Sequence, residues 1–318
     1  MENKQKKKLS TGKKIGLSIL SVFLLIVLGI GGYAFYLYNS VEKTVSSMHK
    51  PIEREKSEKR TDNVVFEKRD PISVLLMGVD ARPGDRGRSD SLIVLTVNPS
   101  DKSMKMVSIP RDTRTEIVGK GFQDKINHAY AFGGPEMAID TVENFLDIPI
   151  DYFVQVNMES FKDIVNAVGG VNVNNSFSFS SGGYTFNEGQ ISLDGAEALA
   201  YSRMRYEDPR GDFGRQERQR QIIKAVIEKG ASFSTLTNFG DILSAIGKNI
   251  QTNLTFDEMI DIQKNYKEAR RSLEQSMVQG SGTKIDGIYY YIVPEEERTA
   301  LSGMLKEHLQ ITENVTKR

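Results

Sequence analysis

The 318-residue chain has no cysteine and no tryptophan, and its three histidines, His49, His128 and His308, are dispersed along its length. Without thiols there is no cysteine nucleophile, no disulfide and no thiolate-bound metal. Histidines this scattered argue against a histidine-built metal centre. Neither sign of charge is in excess, with 42 basic residues against 42 acidic ones. General nucleic-acid binders carry a basic surplus, so no nucleic-acid partner is expected. No Gly-x-Ser-x-Gly elbow occurs, which removes a serine hydrolase of that type. The segment GSGTK at 280–284 lacks the glycine spacing of a phosphate loop and reads as a turn.

What is present begins with a long uncharged run. Residues 15–38, IGLSILSVFLLIVLGIGGYAFYLY, contain no charged side chain. At about 1.5 Å of rise per residue, a helix of that length crosses a hydrocarbon core of about 30 Å with some tilt. Tyr33, Phe35, Tyr36 and Tyr38 at its end suit an interfacial aromatic belt. The run exceeds the apolar region of about 7–15 residues expected of a cleaved signal peptide, and no small-x-small cleavage site is evident. Six lysines precede residue 15, so the positive-inside bias leaves the N-terminus in the cytoplasm and the remainder outside a cell membrane. The expected organisation is a basic tail (1–14), a single-pass anchor (15–38), a charged stalk (39–70) and an outer domain (71–318).

The outer domain mixes strand and helix signals. ISVLLMGVD (72–80), SLIVLTVN (91–98) and MKMVSIP (104–110) are apolar, β-branched runs, the last two joined by the turn PSDK as a hairpin. PEMAIDTVENFLD (135–147) starts with proline and repeats apolar residues at helical spacing. DYFVQV reads as a strand, MESFKDIVNAVGG as a helix, VNV as a short strand and LDGAEALAYSR as a helix. DFGRQERQRQIIKAVIEKG is the clearest helix, from an aspartate cap to a closing glycine. TFDEMIDIQKNYKEARRSLEQ reads as a helix, GIYYYIVP as a strand and EEERTALSGMLKEHLQ as a helix, while the polar stretch 174–190 reads as a surface loop or irregular hairpin. The pattern predicts one α/β domain with a mixed central sheet flanked by helices on both faces, preceded by one transmembrane helix.

Between Arg203 and Arg220 lie six arginines and no lysine. On a 3.6-residue wheel Arg215, Arg218 and Gln219 share one face, which continues into Ile222 and Val226, while Glu217 and Arg220 point elsewhere. Upstream, Arg203 and Arg205 are two apart, hence on one side if that stretch is extended. Buried cations need an anion, and a helix N-terminus adds partial positive charge at the same end. The planar guanidinium fork matches phosphate oxygens better than a lysine does. The cluster therefore suits a multiply charged phosphate. The competing account is a salt-bridged surface helix with Glu207, Asp208, Asp212 and Glu217 as partners.

A second constellation is MGVDARPGDRGRSDS (77–91), a loop between two strands with Asp80 and Asp90 at its two ends. Two such carboxylates form a hard oxygen site suited to Mg²⁺, which takes one or two carboxylates with water and phosphate oxygens. The rival reading pairs those aspartates with Arg82, Arg86 and Arg88 of the same loop. Arg111 follows the third strand in SIPRDTRTEI, at the same sheet edge if the hairpin holds, with Asp112 and Arg114 beside it.

The ordered set SVLLMGVDAR, RSDSLIVLTVNP, MVSIPRDTRTEI, INHAYAFGG, GGVNV, LDGAEALAYSRMR and DFGRQERQRQ resembles the LytR-CpsA-Psr family of bacterial envelope proteins across residues 70–225, with looser similarity from YYYIVPEEE onward. The resemblance implies a Mg²⁺- or Mn²⁺-dependent phosphotransferase that moves a glycopolymer such as wall teichoic acid from an undecaprenyl-pyrophosphate carrier onto peptidoglycan. It implies metal ligation by Asp80 and Asp90, pyrophosphate contacts from Arg82, Arg111, Arg203, Arg205, Arg215 and Arg218 with Gln219 at the same site, and only peripheral electrostatic weight for Arg114. The acceptor's proton would go to a loop aspartate, Asp90 included. A lipid pyrophosphatase and a non-catalytic binder of anionic polymer are the alternatives, separable by their products.

Overall fold

The computed structural model describes residues 36, 38–39, 42–80, 87–230 and 250–311. The basic tail and all of the uncharged run but Tyr36 and Tyr38 lie outside them. Among the described residues no helix is long and apolar enough to cross a membrane.

The expected mixed sheet is the centre of the fold. Its six strands, labelled in chain order, are β1 (Ile72–Val79), β2 (Ser89–Asn98), β3 (Ser103–Ile109), β4 (Tyr152–Val156), β5 (Ile250–Thr252) and β6 (Ser272–Met277). They lie side by side in the order β5-β4-β1-β2-β3-β6. β1, β2 and β3 form an antiparallel meander, β4 runs parallel to β1, and β6 runs parallel to β3. The main helices among the described residues are α1 (His128–Leu146), α2 (Met158–Ala167), α3 (Gly195–Arg203), α4 (Asp212–Gly230), α5 (Phe256–Asn265) and α6 (Glu295–His308).

Side-chain alternation sends each strand's residues to two buried faces. Leu75, Met77, Leu92, Val94, Val107 and Ile109 pack with Ala138, Val142 and Phe145 of α1 and Leu301 and Leu305 of α6. Ile72, Val74, Ile93, Leu95 and Met106 face the other way, onto Ile223 and Ile227 of α4 and Met259 and Ile262 of α5. A smaller apolar cluster joins α2, α3, the start of α4 and the hairpin Phe179–Ser181/Tyr184–Phe186 through Val165, Phe179, Phe186, Tyr201 and Ile222. The 174–190 stretch is thus an irregular hairpin, but two of its three phenylalanines, Phe179 and Phe186, are buried.

Three local readings change. α1 begins at His128, seven residues before Pro135, and is broken at Gly134, whose φ of 69° and ψ of −155° only glycine adopts readily. Pro135 still opens the longer second piece. The helix expected over TFDEMIDIQKNYKEARRSLEQ stops at Asn265, and Ser272–Met277 becomes edge strand β6. Hydrogen bonding to β3 outweighs the weak helix preference of SLEQS.

The third change concerns the charged stalk, which from residue 42 onward packs on the domain instead of standing clear of it. Val45 and Met48 are buried against Ile250 and Phe256. Arg54 bridges Glu143 at 2.7 Å. Arg60 clamps Asp151, whose carboxylate also accepts from the Ser73 backbone N–H at 2.8 Å, at the N-terminal end of β1. A cavity of 340 Å³ lined by Arg54, Arg60, Asp151 and Tyr152 occupies this end of the sheet. Arg54 and Arg60 are already paired to carboxylates, and the cavity lies at the end remote from Asp80.

α3 ends on Arg203 and is held at its start by a capping box: Asp194 accepts from the Ala196 and Glu197 N–H groups while Glu197 accepts from the Asp194 N–H. Asp194→Ala is expected to cost about 1 kcal/mol of unfolding free energy, measured by urea denaturation.

Candidate active site at the end of the central sheet

The meander alone brings the first candidate residues together. Val79 of β1 pairs with Ser89 of β2, so Asp80 and Asp90 flank one register pair at one end of the sheet. Leu92 pairs with Ile109, so β3 delivers Arg111 to the same edge. There the Arg111 Nη1 donates to Asp90 Oδ1 at 3.0 Å, and its Nε lies 3.8 Å from Asp112. Burial alone would lower the Arg111 pKa, but Asp90, Asp212 and Asp112 outweigh it and hold the guanidinium above its ordinary value. Asn127, just before α1, donates from Nδ2 to Asp90 Oδ1 at 3.5 Å, and its Oδ1 is buried with no hydrogen-bond partner among the described residues.

The first turns of α4 complete the edge. Gln219 accepts from the Ser91 hydroxyl of β2 at 3.0 Å, tying helix to sheet. The Arg215 side chain is 12% exposed and its Nη2 lies 2.8 Å from Asp212, while its buried Nε has no hydrogen-bond partner among the described residues. Its pKa is lowered, first by burial; nearby Arg111 and Arg205 lower it further, and Asp212 and Asp90 only partly compensate. That set of mutual influences places Arg111, Arg205, Arg215 and Asp90 in one electrostatic neighbourhood. A desolvated guanidinium under the influence of other cations is a cost that a bound anion would remove. Arg205 is held by Tyr206, with its guanidinium 4.7 Å over that exposed ring.

The remaining arginines diverge. Arg203, at the end of α3, is exposed, and its Nη1 lies 3.5 Å from the Met158 sulfur. Arg218 is 3% exposed and donates to Asp208 Oδ2 and to the Met204 carbonyl, both at 2.6 Å. It also lies over the Phe179 and Tyr201 rings at 5.4 and 5.9 Å. The wheel reading that joined Arg215 and Arg218 on one face therefore separates in three dimensions: Arg215 turns to the sheet edge, and Arg218 turns into the Phe179–Tyr201 cluster. The salt-bridged account of the arginine run is met in part, since Asp208 takes Arg218, Asp212 takes Arg215 and Glu217 takes Arg210. Arg82 and Arg86 lie outside the described residues. Arg88 is exposed.

Arg220, read as pointing away, is mostly buried, with its Nη1 donating to Ser108 of β3 at 2.9 Å. Asn127 and Asp212 also belong to the site. Asn127 had a signal in the stretch INHAY directly before a helix, but nothing local distinguished it from an ordinary cap.

Comparison with known proteins follows the same lines. The family model described as the LytR_cpsA_psr family matches residues 35–307. The polyisoprenyl-teichoic acid–peptidoglycan teichoic acid transferase TagU of Bacillus subtilis strain 168 is 56% identical over 310 residues, covering 98% of this chain and 100% of that protein. The crystal structure of B. subtilis TagU superposes with a TM-score of 0.62 at 56% identity, over 76% of this chain and 97% of that one. The structure of TagT bound to LI-WTA gives a TM-score of 0.71 at 33% identity, over 83% of this chain and 100% of that one.

Proposed function

The chain belongs to the LytR-CpsA-Psr family, and on that premise we propose that it is a phosphotransferase. It moves an anionic glycopolymer such as wall teichoic acid from an undecaprenyl-pyrophosphate carrier onto a peptidoglycan sugar hydroxyl. It works outside the cell, tethered to the membrane through residues 15–38.

The observation that carries this reading is Arg111, paired to Asp90 at 3.0 Å, at the sheet edge to which Gln219 ties the first turns of α4, where the buried Arg215 Nε has no hydrogen-bond partner among the described residues. An acceptor hydroxyl oxygen attacks the phosphorus that bears the glycopolymer while its proton passes to a loop aspartate, Asp90 included. The bond from that phosphorus to the bridging oxygen breaks, and undecaprenyl phosphate leaves with the electron pair. Arg111 and Arg215 hold the pyrophosphate oxygens and neutralise the charge that grows on the leaving phosphate. Asp212 orients Arg215, and Gln219, fixed by Ser91, closes the same wall. No covalent enzyme intermediate is required.

The residues also fit a divalent metal. Asp80 and Asp90 on adjoining strand ends, with the unpartnered Asn127 Oδ1 beside Asp90, make a hard oxygen set of the kind Mg²⁺ or Mn²⁺ accepts. When bound, such an ion supplies positive charge against the pyrophosphate. Asp80→Asn is expected to abolish the rise of turnover with added Mg²⁺, and an unchanged metal titration would remove Asp80 from the ligand set.

The deciding experiment incubates the protein with a lipid-pyrophosphate glycopolymer, Mg²⁺ and peptidoglycan fragments, followed by mass analysis. A polymer–peptidoglycan phosphodiester with release of undecaprenyl phosphate supports transfer. Hydrolysed polymer alone identifies a pyrophosphatase, and intact donor identifies a binder.

A further inference from the structure

We propose that the aromatic surface formed by Phe122, His128 and Phe132, bordered by Lys120, is the docking platform for the acceptor glycan strand. The proposal rests on the transfer reading above and names the surface that presents the acceptor hydroxyl.

The platform stands on two rings that remain partly in solvent. Phe122 is 45% and Phe132 39% exposed. They nevertheless contact each other edge to face, with centroids 5.8 Å apart, and Phe132 meets the His128 ring at 6.2 Å. Lys120 Nζ lies 5.6 Å from the Phe132 centroid. Clustered exposed apolar side chains mark binding surfaces more often than chance. A ring face left in solvent can stack on the axial C–H face of a pyranose, and neighbouring donors serve its hydroxyls. His128 Nδ1 is held by Asp124 at 2.7 Å, which fixes the ring, and its Nε2 has no hydrogen-bond partner among the described residues. Lys120 gives the surface a cation suited to the carboxylates of an acidic glycan.

Its position links it to the reacting edge. The ribbon Arg114–Ile117/Phe122–Lys125 begins three residues beyond Arg111, and the chain returns from it through Asn127, whose N–H donates to the Arg111 carbonyl and whose side chain reaches Asp90. Arg114 pairs with Lys125 at the base of the ribbon and Ile117 with Phe122 at its tip. Three residues at about 3.3 Å each put Phe122 about 10 Å out from the base. A strand of sugars seated on the rings thus runs toward Asp90 and Arg111.

Charge and aromatic rings also suit a lipid surface, but the sheet order disfavours it. The chain rises toward its uncharged N-terminal run through Tyr38, whose ring lies 5.2 Å from Phe256 beside β5. β5 is one edge of the sheet, and the ribbon leaves β3 four strands away, about 19 Å at ordinary strand spacing.

The test uses the full chain in detergent and an uncross-linked N-acetylglucosamine–N-acetylmuramic acid oligosaccharide as probe. The paired substitution Phe122→Leu with Phe132→Leu keeps apolar bulk but removes the ring faces. It is expected to raise the glycan Kd and the acceptor KM about tenfold, with donor KM held within about twofold. The pair Phe122→Tyr with Phe132→Tyr restores wild-type values and controls for folding. Wild-type glycan affinity in the leucine pair overturns the proposal. So does an unchanged glycan affinity accompanied by lost binding to phosphatidylglycerol vesicles, which assigns the rings to the membrane. Glycan binding by a wild-type protein that transfers nothing leaves the platform standing and rejects the transfer reading instead.

Discussion

Arg215→Ala is expected to lower the rate of glycopolymer transfer about a thousandfold while leaving the unfolding free energy within about 1 kcal/mol of wild type. Two features set these sizes. A positioned cation or hydrogen-bond donor at developing phosphate charge contributes about 10²–10⁵ in rate, and Arg215 shares the task with Arg111 and Arg205. In the free protein the same guanidinium is a liability, being buried, near two like charges, and unpartnered at Nε. Its loss leaves only Asp212, which is partly exposed and able to hydrate. Activity and stability therefore move independently, as at a site built for a ligand rather than for the fold. Mass-resolved product formation and urea midpoints on the same preparations check both halves. Wild-type turnover in the variant would remove Arg215 from the pyrophosphate site.

Asp208→Ala should behave in the opposite way, costing about 3–5 kcal/mol of stability. The Asp208 side chain is 0% exposed and takes hydrogen bonds from Arg218 at 2.6 Å and from the Arg210 backbone N–H at 2.8 Å. Removing it strands the Arg218 guanidinium among Phe179, Tyr201 and Met204. Packing around the carboxylate is tight enough to dictate a neighbour's identity: a Cβ on Gly214 would sit 1.7 Å from Asp208 Oδ2. Burial pushes the Asp208 pKa up, but the bonds from Arg218 and Arg210 prevail and hold it below the ordinary carboxylate value. Its contribution is thus complete above about pH 4, where the unfolded carboxylate is ionised, and is lost as pH falls through the folded value. Urea denaturation at neutral pH and at pH 3 should show the variant's deficit shrinking in acid. A deficit under about 1 kcal/mol at neutral pH would contradict the buried-pair account.

The two arginines are three residues apart on one helix and were indistinguishable by spacing. Their different fates illustrate what pattern can and cannot convey. The apolar, β-branched runs at 72–80 and 91–98 and the PSDK turn are local, and each produced the element expected of it, whereas the helix expected from Pro135 begins at His128. Because a meander fixes its own register, Asp80, Asp90 and Arg111 could be placed at one sheet edge without knowing the rest of the fold. The edge strand Ser272–Met277 was missed because its residues have no strong preference, and only β3 beside it settles the matter. The charge of residues 39–70 predicts a stalk. Arg54 and Arg60 instead meet Glu143 and Asp151, about ninety residues away in the chain, as partners that sequence separation conceals.

The amino-acid order by itself determined the family, the hairpin that aligns the two aspartates with Arg111, and the concentration of guanidinium groups near the start of one helix. Tertiary structure alone decided which of those guanidiniums reach the sheet edge and which support the fold. A helix turns by about 100° per residue, so neighbours three apart differ by roughly a sixth of a turn. That difference is small on a wheel, yet it is enough for Asp208 and the aromatic cluster to capture Arg218 while Arg215 pairs with Asp212.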